Sequence, residues 1–160
     1  MIKFKLTLTA NTIAAQIADL LNKGGQLLYY FNENSVLQNK VQYLIELDGD
    51  KVVGVIGLEI KTPKVTEIKH LCVHPDYRRK GLGKKLLELA IRATQTKLLY
   101  GTVREDNHVN IRNNFRVGMT PIGKFRGRGG CNVIVFARRK HGFEHRIYGR
   151  RTEEFKLYSS

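Results

Sequence analysis

Residues 73–87 read V-H-P-D-Y-R-R-K-G-L-G-K-K-L-L, a short β-prone run that ends at Pro75 and a helical pattern that begins after Gly81 and Gly83. Glycines between a strand and a helix let main-chain N–H groups approach an anion without a Cβ in the way. The first turn of the helix adds unpaired N–H groups and the positive end of its dipole. Five basic side chains surround this point: Arg78, Arg79, Lys80, Lys84 and Lys85. The stretch therefore predicts a pyrophosphate site.

Two better-known phosphate motifs are absent from the chain. A P-loop needs G-x-x-x-x-G-K-[ST] and a dinucleotide site needs G-x-G-x-x-G, whereas the chain has R-x-x-G-x-G at Arg78–Gly83. The alternative interpretation of so short a motif is a basic helix start that binds nothing. The flanking sequence decides between the two.

Length and composition indicate one globular domain. The chain has 160 residues, 42% hydrophobic and 26% charged, which is enough to bury a core. No apolar run reaches the length of a membrane span, so we expect no membrane partner. Cys72 and Cys131 both lie in apolar strand-like runs, which predicts buried free thiols and a reducing, cytoplasmic location. A zinc site needs ligands in pairs at short spacings, and the chain lacks such pairs.

The charge is high and uneven. The formal net charge is +14, and residues 81–160 carry 17 Lys/Arg against 6 Asp/Glu. Residues 124–151 hold nine basic residues and one acid, Glu144. Charge of this kind attracts polyanions, so we predict a nucleic acid or another acidic partner at residues 124–151. The alternative is a basic surface with no polyanionic partner.

Hydrophobic periodicity predicts a single-domain α/β (α+β) fold with a mixed central sheet flanked by helices. Helices are expected after an N-cap at Asn11, over 82–93 and over 107–117, and residues 26–40 form a second short helix or an irregular loop. Asp48-Gly49-Asp50 predicts a hairpin. The predicted strands cover 3–9, 43–47, 52–60, 65–73, 98–103, 122–125 and 131–137. We expect a domain over residues 1–138 and a basic C-terminal extension over 139–160.

The strand over 65–73 contains an irregularity. Ile68 is apolar, and strict alternation predicts the next apolar side chains at positions 70 and 72. They occur instead at Leu71 and Val73, one residue out of phase. A β-bulge near Lys69-His70 explains the slip. A bulge there splays the strand from its neighbour and opens a cleft before the glycine loop.

These features together resemble the GNAT N-acetyltransferase superfamily across about residues 1–138. R-x-x-G-x-G is similar to its acyl-CoA pyrophosphate loop, and E-I-K-H-L-C-V-H-P from Glu67 looks like its long bulged strand. N-H-V-N-I-R-N-N-F-R-V-G-M from Asn107 is similar to the family's N-x-x-A-x-x-x-Y-x-x-x-G-F, although Asn114 falls where the family often has Tyr.

The resemblance implies acyl transfer from acetyl-CoA to an amine in a ternary complex. Main-chain groups of the bulged strand would hold the pantetheine arm, and N–H groups of residues 79–84 would hold the pyrophosphate. The implied cofactor-binding residues are Leu71, Val73, Arg78, Arg79, Lys80, Gly81, Leu82, Gly83, Lys84 and Asn107. No metal is implied.

The resemblance also suggests catalytic candidates. Glu67 lies eleven residues before Arg78, the separation at which some members carry a catalytic glutamate, and it is the candidate base. The alternative for Glu67 is a solvated strand residue paired with Lys69 or a neighbour. His70, His74 and His108 compete for the role. Asn114 cannot deliver a proton at neutral pH as the family's Tyr does, although Tyr100 could substitute for it.

Three functions remain open at this stage. The leading hypothesis is an N-acetyltransferase with an amine acceptor, which a nucleic acid, a tRNA or another acidic macromolecule could present. The second is a module without catalysis that binds CoA or nucleic acid. The third is a DNA-base-modifying transferase on the same fold.

Overall fold

The computed structural model describes residues 8–24 and 29–139. Its strands are β1 (Gln42–Asp48), β2 (Lys51–Thr62), β3 (Val65–Val73), β4 (Leu98–Arg104), β5 (Thr120–Arg126) and β6 (Asn132–Arg139). Its helices are α1 (Ala10–Gly24), α2 (Glu33–Gln38), α3 (Leu82–Ala93) and α4 (His108–Arg116), with one 3-10 turn at Pro75–Tyr77. The predicted mixed α/β architecture is confirmed.

The strands form one sheet in the order β1-β2-β3-β4-β6-β5. Among the described strands, β3 and β4 run parallel, and the other neighbouring pairs are antiparallel. A parallel pair needs a crossover, and α3 supplies it between β3 and β4. The glycine loop therefore lies at the end of β3, in the middle of the sheet.

Helices cover both faces of the sheet. Ile68 and Phe136 lie on one face in a cluster with buried residues of α3, and Phe115 of α4 packs edge-on against Phe136. Val55 and Cys72 lie on the other face, in a cluster with buried residues of α1 and with Val36 of α2. Side chains alternate between faces along a strand, so β2 and β3 each contribute to both layers.

The hairpin and the second helix follow from local chemistry. Asp48-Gly49-Asp50 joins β1 to β2, with Gly49 at φ 57°, as predicted. The ambiguous region over 26–40 contains α2, apart from residues 26–28, which lie outside the described part. Asn32 caps α2 in a capping box with Ser35, a pairing that satisfies two amide donors at the helix start.

The start of α1 differs from the prediction. The helix begins at Ala10, and Thr9 Oγ1 accepts a hydrogen bond from the Thr12 N–H at 3.1 Å. The predicted N-cap at Asn11 is therefore wrong, because a hydroxyl two residues earlier already caps the first turn. Residues 3–7 of the strand predicted over 3–9 lie outside the described residues, and residues 8–9 are not in a strand.

The two cysteines differ in burial. Cys72 is buried, and burial raises the pKa of its thiol. Cys131 is only half-buried, so the prediction of two buried thiols is wrong for this one. Cys131 lies just before β6, at the exposed end of the β5–β6 turn. A single apolar side chain at such a place does not become part of the core. Residues 140–160 of the extension predicted over 139–160 lie outside the described residues.

Candidate functional site

The glycine loop forms a concave set of main-chain amides. Arg79 has φ 62° and Gly81 has φ 79°, and Lys80 between them is not in the left-handed region. Alternating backbone hands turn successive N–H groups toward one side, which makes an anion-binding nest. Gly81 is the N-cap of α3 and no side chain caps that helix. The first-turn N–H groups of α3 are therefore left for a ligand.

Gly83 lies against the neighbouring helix. A Cβ added at Gly83 would come within 3.0 Å of Asn113 Nδ2 of α4. Such a contact is tighter than packed side chains normally have, so a side chain at position 83 would displace the Asn113 amide by a few tenths of an ångström. Asn113 is a residue that sequence reasoning missed, because the family-like pattern assigns it no role.

Asn107 has a structural role at the start of α4. Its side chain accepts a hydrogen bond from the Asn110 N–H at 3.1 Å, which caps the helix. The cofactor-binding role implied for Asn107 is not visible in this contact. Its capping fixes the helix that carries Asn113 beside the loop.

The basic side chains around the loop differ in what they contact. Lys80 Nζ lies 5.2 Å from the centre of the Tyr77 ring, and Tyr77 donates a hydrogen bond to Asp48 of the first hairpin. Lys84 pairs with Glu88 at 3.2 Å, whereas Lys85 pairs with Glu46 of β1. The Tyr77–Asp48 contact therefore ties the loop to the β1–β2 hairpin.

Arg78 contacts main-chain carbonyls. Its Nε donates to Val73 O at 3.1 Å and its Nη2 donates to Gly24 O at 3.4 Å. The guanidinium thus joins the end of β3 to the end of α1. The structure places Arg78 as a residue that positions the loop.

The predicted bulge and splay are present. Val55 pairs with Cys72 and Gly57 pairs with Lys69, so that Ile56 faces two residues of β3, His70 and Leu71. His70 has φ 55°, a left-handed conformation that histidine adopts more readily than most residues. The pairing of β3 with β4 stops at Ile68 and Gly101. Beyond that point the two strands diverge.

Main-chain groups of β3 face the opening. The His74 N–H donates to Val53 O at 2.8 Å, toward β2. Because polar groups alternate sides along a strand, the N–H of Val73 faces the side of β4, where pairing has ended. Leu71, within the bulge, borders the same opening. The loop, the splay and these amides together suit an elongated ligand with a pyrophosphate at one end.

His70 is the centre of a half-buried polar cluster. Its Nδ1 lies 2.8 Å from the Tyr43 hydroxyl, which accepts a hydrogen bond from Asn39 Nδ2 at 2.9 Å. Phe31 packs edge-on against the ring at 4.9 Å. Burial, helped by the nearby Lys69 ammonium, lowers the pKa of His70 to about 4. The imidazole is therefore neutral at pH 7, beside the splay.

Glu67 lies in a network of ion pairs on the same face as the Tyr43–His70 cluster. Its Oε2 is 3.5 Å from Lys61 Nζ and 3.7 Å from Lys69 Nζ, and both lysines also contact Glu59. Burial raises the pKa of Glu59, but the hydrogen bonds from Lys69 and Lys61 outweigh it and hold that pKa below its ordinary value. Glu67 stands next to Tyr100 of β4. The pairing with Lys69 that was the alternative for Glu67 is present.

Two further catalytic candidates, Asn114 and His108, lie on α4. Asn114 is buried, and its Nδ2 donates to Asn110 O at 2.8 Å and to Asn110 Oδ1 at 3.0 Å. Its amide hydrogens are thus directed to the preceding turn of its own helix. His108 is exposed in the first turn. Both residues belong to the helix on the Phe136 face, opposite to the face that carries Glu67.

Metal and membrane signals are absent from the described residues. No group of His, Cys, Asp and Glu within 8–24 and 29–139 is arranged to hold a metal ion. No helix in the same ranges is long and apolar enough to cross a bilayer.

Comparison with known proteins gives one family and many similar folds. The family model described as Acetyltransferase (GNAT) family matches residues 15–114. The ribosomal-protein-S18-alanine N-acetyltransferase from Escherichia coli has a TM-score of 0.69 at 17% identity, covering 87% of this chain and 94% of that one.

Two further solved structures are similar in the same way. The yncA protein from Salmonella typhimurium, solved with its cofactor acetyl-CoA, has a TM-score of 0.68 at 16% identity, with 85% and 94% covered. The ribosomal-protein-S5-alanine acetyltransferase from Vibrio fischeri has a TM-score of 0.67 at 13% identity, with 86% and 93% covered. At these identities the structural likeness shows the fold.

Proposed function

The chain belongs to the acetyltransferase (GNAT) family, and on that premise we propose that it transfers an acetyl group from acetyl-CoA to an amine acceptor. The transfer is direct, within a ternary complex of protein, thioester and amine. The observation that carries this proposal is the uncapped, alternating-φ loop at the start of α3, next to the point where β3 leaves β4.

The chain offers binding groups for the pyrophosphate and for the pantetheine arm of acetyl-CoA. Main-chain amides of residues 79–84 suit the pyrophosphate, and main-chain groups of Leu71 and Val73 suit the amides of the pantetheine arm. Arg78 holds the end of β3 in place through Val73 O. When bound, acetyl-CoA supplies an acyl group activated as a thioester. The carbonyl of that group would lie near the bulge at His70.

The reaction needs one proton acceptor. The amine nitrogen bonds to the carbonyl carbon, the carbon–sulfur bond breaks, and the CoA thiolate leaves while the nitrogen loses a proton. Glu67 is the proposed base, since its carboxylate lies on the face of the Tyr43–His70 cluster beside Tyr100. His70 is the competing acceptor, because its imidazole is neutral at pH 7 and lies at the bulge.

The acceptor is proposed to be an amine on a macromolecule. Two similar structures are enzymes that acetylate an alanine of a ribosomal protein, so a protein N-terminal amine is a reasonable first substrate class to test. The net charge of +14 favours an acceptor with acidic surroundings and opposes a free polyamine.

A second candidate function is a CoA-binding module with little or no turnover. Asn114 favours it, because this residue stands where the family often has a proton donor and its amide is bound to Asn110. An amide cannot protonate a departing thiolate at neutral pH. Binding of acetyl-CoA without release of CoA would support the module.

The first test measures binding and turnover together. Acetyl-CoA at 100 times its Kd should stabilise the protein by about 2.7 kcal/mol, because it binds only the native state. CoA release should follow on adding peptides with free N-terminal amines. Thermal unfolding and a thiol assay measure the two effects.

Gly83→Asp tests whether the loop is responsible. The new carboxylate would meet Asn113 and repel the pyrophosphate, so the shift in Tm with acetyl-CoA should disappear. Gln95→Asp adds the same charge at an exposed position beyond α3 and should keep the shift. Equal shifts in both variants would remove the loop from the proposal.

Glu67→Gln tests the base. General base catalysis contributes about 10²–10⁴-fold, so kcat/KM should fall by that order and the acidic limb of the pH profile should change. Glu59→Gln is the matched control, because Glu59 contacts the same two lysines. Equal losses in both variants would assign Glu67 to the ion-pair network and leave His70 or water as the acceptor.

A further inference from the structure

Two tyrosines project into solvent from the connection between α1 and α2. The side chains of Tyr29 and Tyr30 are 65% and 82% exposed. Both rings are therefore accessible to a partner from solvent. A tyrosine ring offers a flat apolar face and a polar tip, which suits a partner that is partly aromatic and partly hydrated.

The connection that carries them is anchored. Phe31 N–H donates to Asn22 Oδ1 at 2.8 Å, and Asn22 Nδ2 donates back to Phe31 O at 2.6 Å. The Phe31 ring packs against His70 at the bulge of β3. The two tyrosines are therefore held one and two residues from a contact with the splayed strand.

An arginine of the turn between β5 and β6 reaches the same place. Arg128, in the turn between β5 and β6, donates a hydrogen bond from Nη1 to the Tyr29 hydroxyl at 2.7 Å. Arg126 and Arg128 are both exposed. Residues 124–139 contain five basic residues and no acidic residue. The Arg128–Tyr29 contact thus joins a cationic turn to the exposed rings, and we call Tyr29, Tyr30, Arg126 and Arg128 the tyrosine–arginine rim.

We infer that the tyrosine–arginine rim docks a single-stranded nucleic acid next to the bulge of β3. Bases stack on aromatic rings with little regard to sequence, and phosphates pair with arginines. A duplex hides its base faces and suits this surface less well. An acidic peptide would use the arginines but would leave the two exposed rings without a role. The docking goes beyond the proposed function and does not depend on acyl transfer.

The test measures binding of fluorescein-labelled oligo(dT) and oligo(rU) by anisotropy with the full chain. Tyr29→Ala/Tyr30→Ala removes both rings without changing charge, and the Kd should rise by about tenfold or more. Tyr29→Phe keeps the ring and should keep most of the affinity. Arg126→Ser/Arg128→Ser should reduce the slope of log Kd against log salt by about 1.4, since each phosphate contact contributes about 0.7 for a single strand.

Lys64→Ser/Arg92→Ser is the matched control, because both side chains are exposed and lie away from the rim. This control should reduce affinity less than either rim variant. Three outcomes would each overturn the proposal. The control and rim variants could lose affinity equally, or the protein could bind neither oligonucleotide. Polyglutamate could also displace the oligonucleotide equally well from the wild type and from the tyrosine double variant. The shift in Tm with acetyl-CoA is measured on every variant. A retained shift with lost oligonucleotide binding separates failure of the rim from failure of the acetyltransferase proposal.

Discussion

His70 combines an unusual backbone conformation with a buried ring. Its φ of 55° makes the bulge, and its side chain fills the space between Phe31 and Tyr43. Left-handed backbone at a residue other than glycine costs free energy and persists where the surroundings hold it. The hydrogen bond to Tyr43 and the packing of Phe31 provide that support.

His70 should make stability depend on pH. Its pKa is about 4 in the native state and 6.5 ordinarily, so the unfolded chain binds the proton first as pH falls. The contribution of His70 to the free energy of unfolding is complete above pH 6.5 and is lost as the pH falls toward 4. We expect a loss of about 2 kcal/mol after solvent screening is allowed for.

The measurement is the free energy of unfolding in urea across that range of pH. His70→Asn keeps a residue that tolerates positive φ but does not titrate, so its unfolding free energy should fall less over the same range. His108→Asn removes an exposed histidine and should keep the wild-type dependence. If His70→Asn and wild type lose stability in parallel, the ring is not responsible.

At the scale of secondary-structure elements, the site depends on how α1, β3 and α3 meet. The bulge ends pairing between β3 and β4, and the loop after β3 turns into α3 without a side-chain cap. Arg78 bonds to the last residue of β3 and to the last residue of α1. One guanidinium thus fixes two elements relative to the loop.

Arg78→Lys should weaken acetyl-CoA binding. A lysine keeps the charge but cannot place two donors in the planar arrangement that reaches both carbonyls. We expect a several-fold higher Kd and a loss of about 1 kcal/mol of stability, the usual contribution of one hydrogen bond. Isothermal calorimetry and urea unfolding measure the two quantities. Arg92→Lys, at the far end of α3, is the control, and an Arg78→Lys variant that binds like it would exclude a positioning role.

At the scale of the whole molecule, charge repulsion opposes folding. The chain carries a formal +14, and several ion pairs of the described residues lie at the surface, where each contributes little. Salt screens repulsion between exposed charges. We therefore expect added salt to weaken the repulsion between like charges more than it weakens the attraction within these ion pairs.

Raising NaCl from about 20 mM to about 200 mM should increase the Tm by a few degrees, since about 1 kcal/mol corresponds to about 2–4 °C in a chain of this size. Scanning calorimetry measures it. Lys64→Ser/Arg92→Ser removes two charges and should show a smaller increase. A Tm that falls with salt would mean that ion pairs dominate over repulsion.

The sequence by itself determined the elements and the most distinctive features of the fold. The phase slip at Lys69-His70, the Asp-Gly hairpin and the glycine loop were all predicted, because each depends on the conformation of a few consecutive residues. The boundary of α1 was wrong by a few residues, since Thr9 and Asn11 are both competent caps. Which of them caps depends on where the chain enters the helix.

Only the tertiary structure decided which distant side chains meet. Tyr43 reaches His70 across 27 residues, Arg78 reaches Gly24 across 54, and Arg128 reaches Tyr29 across 99. Periodicity reports which face of an element is apolar but carries no information on the partner across that face. The Lys61 contact at Glu67, the Asn113 contact at Gly83 and the tyrosine–arginine rim therefore appear only when the sheet brings its strands and loops together.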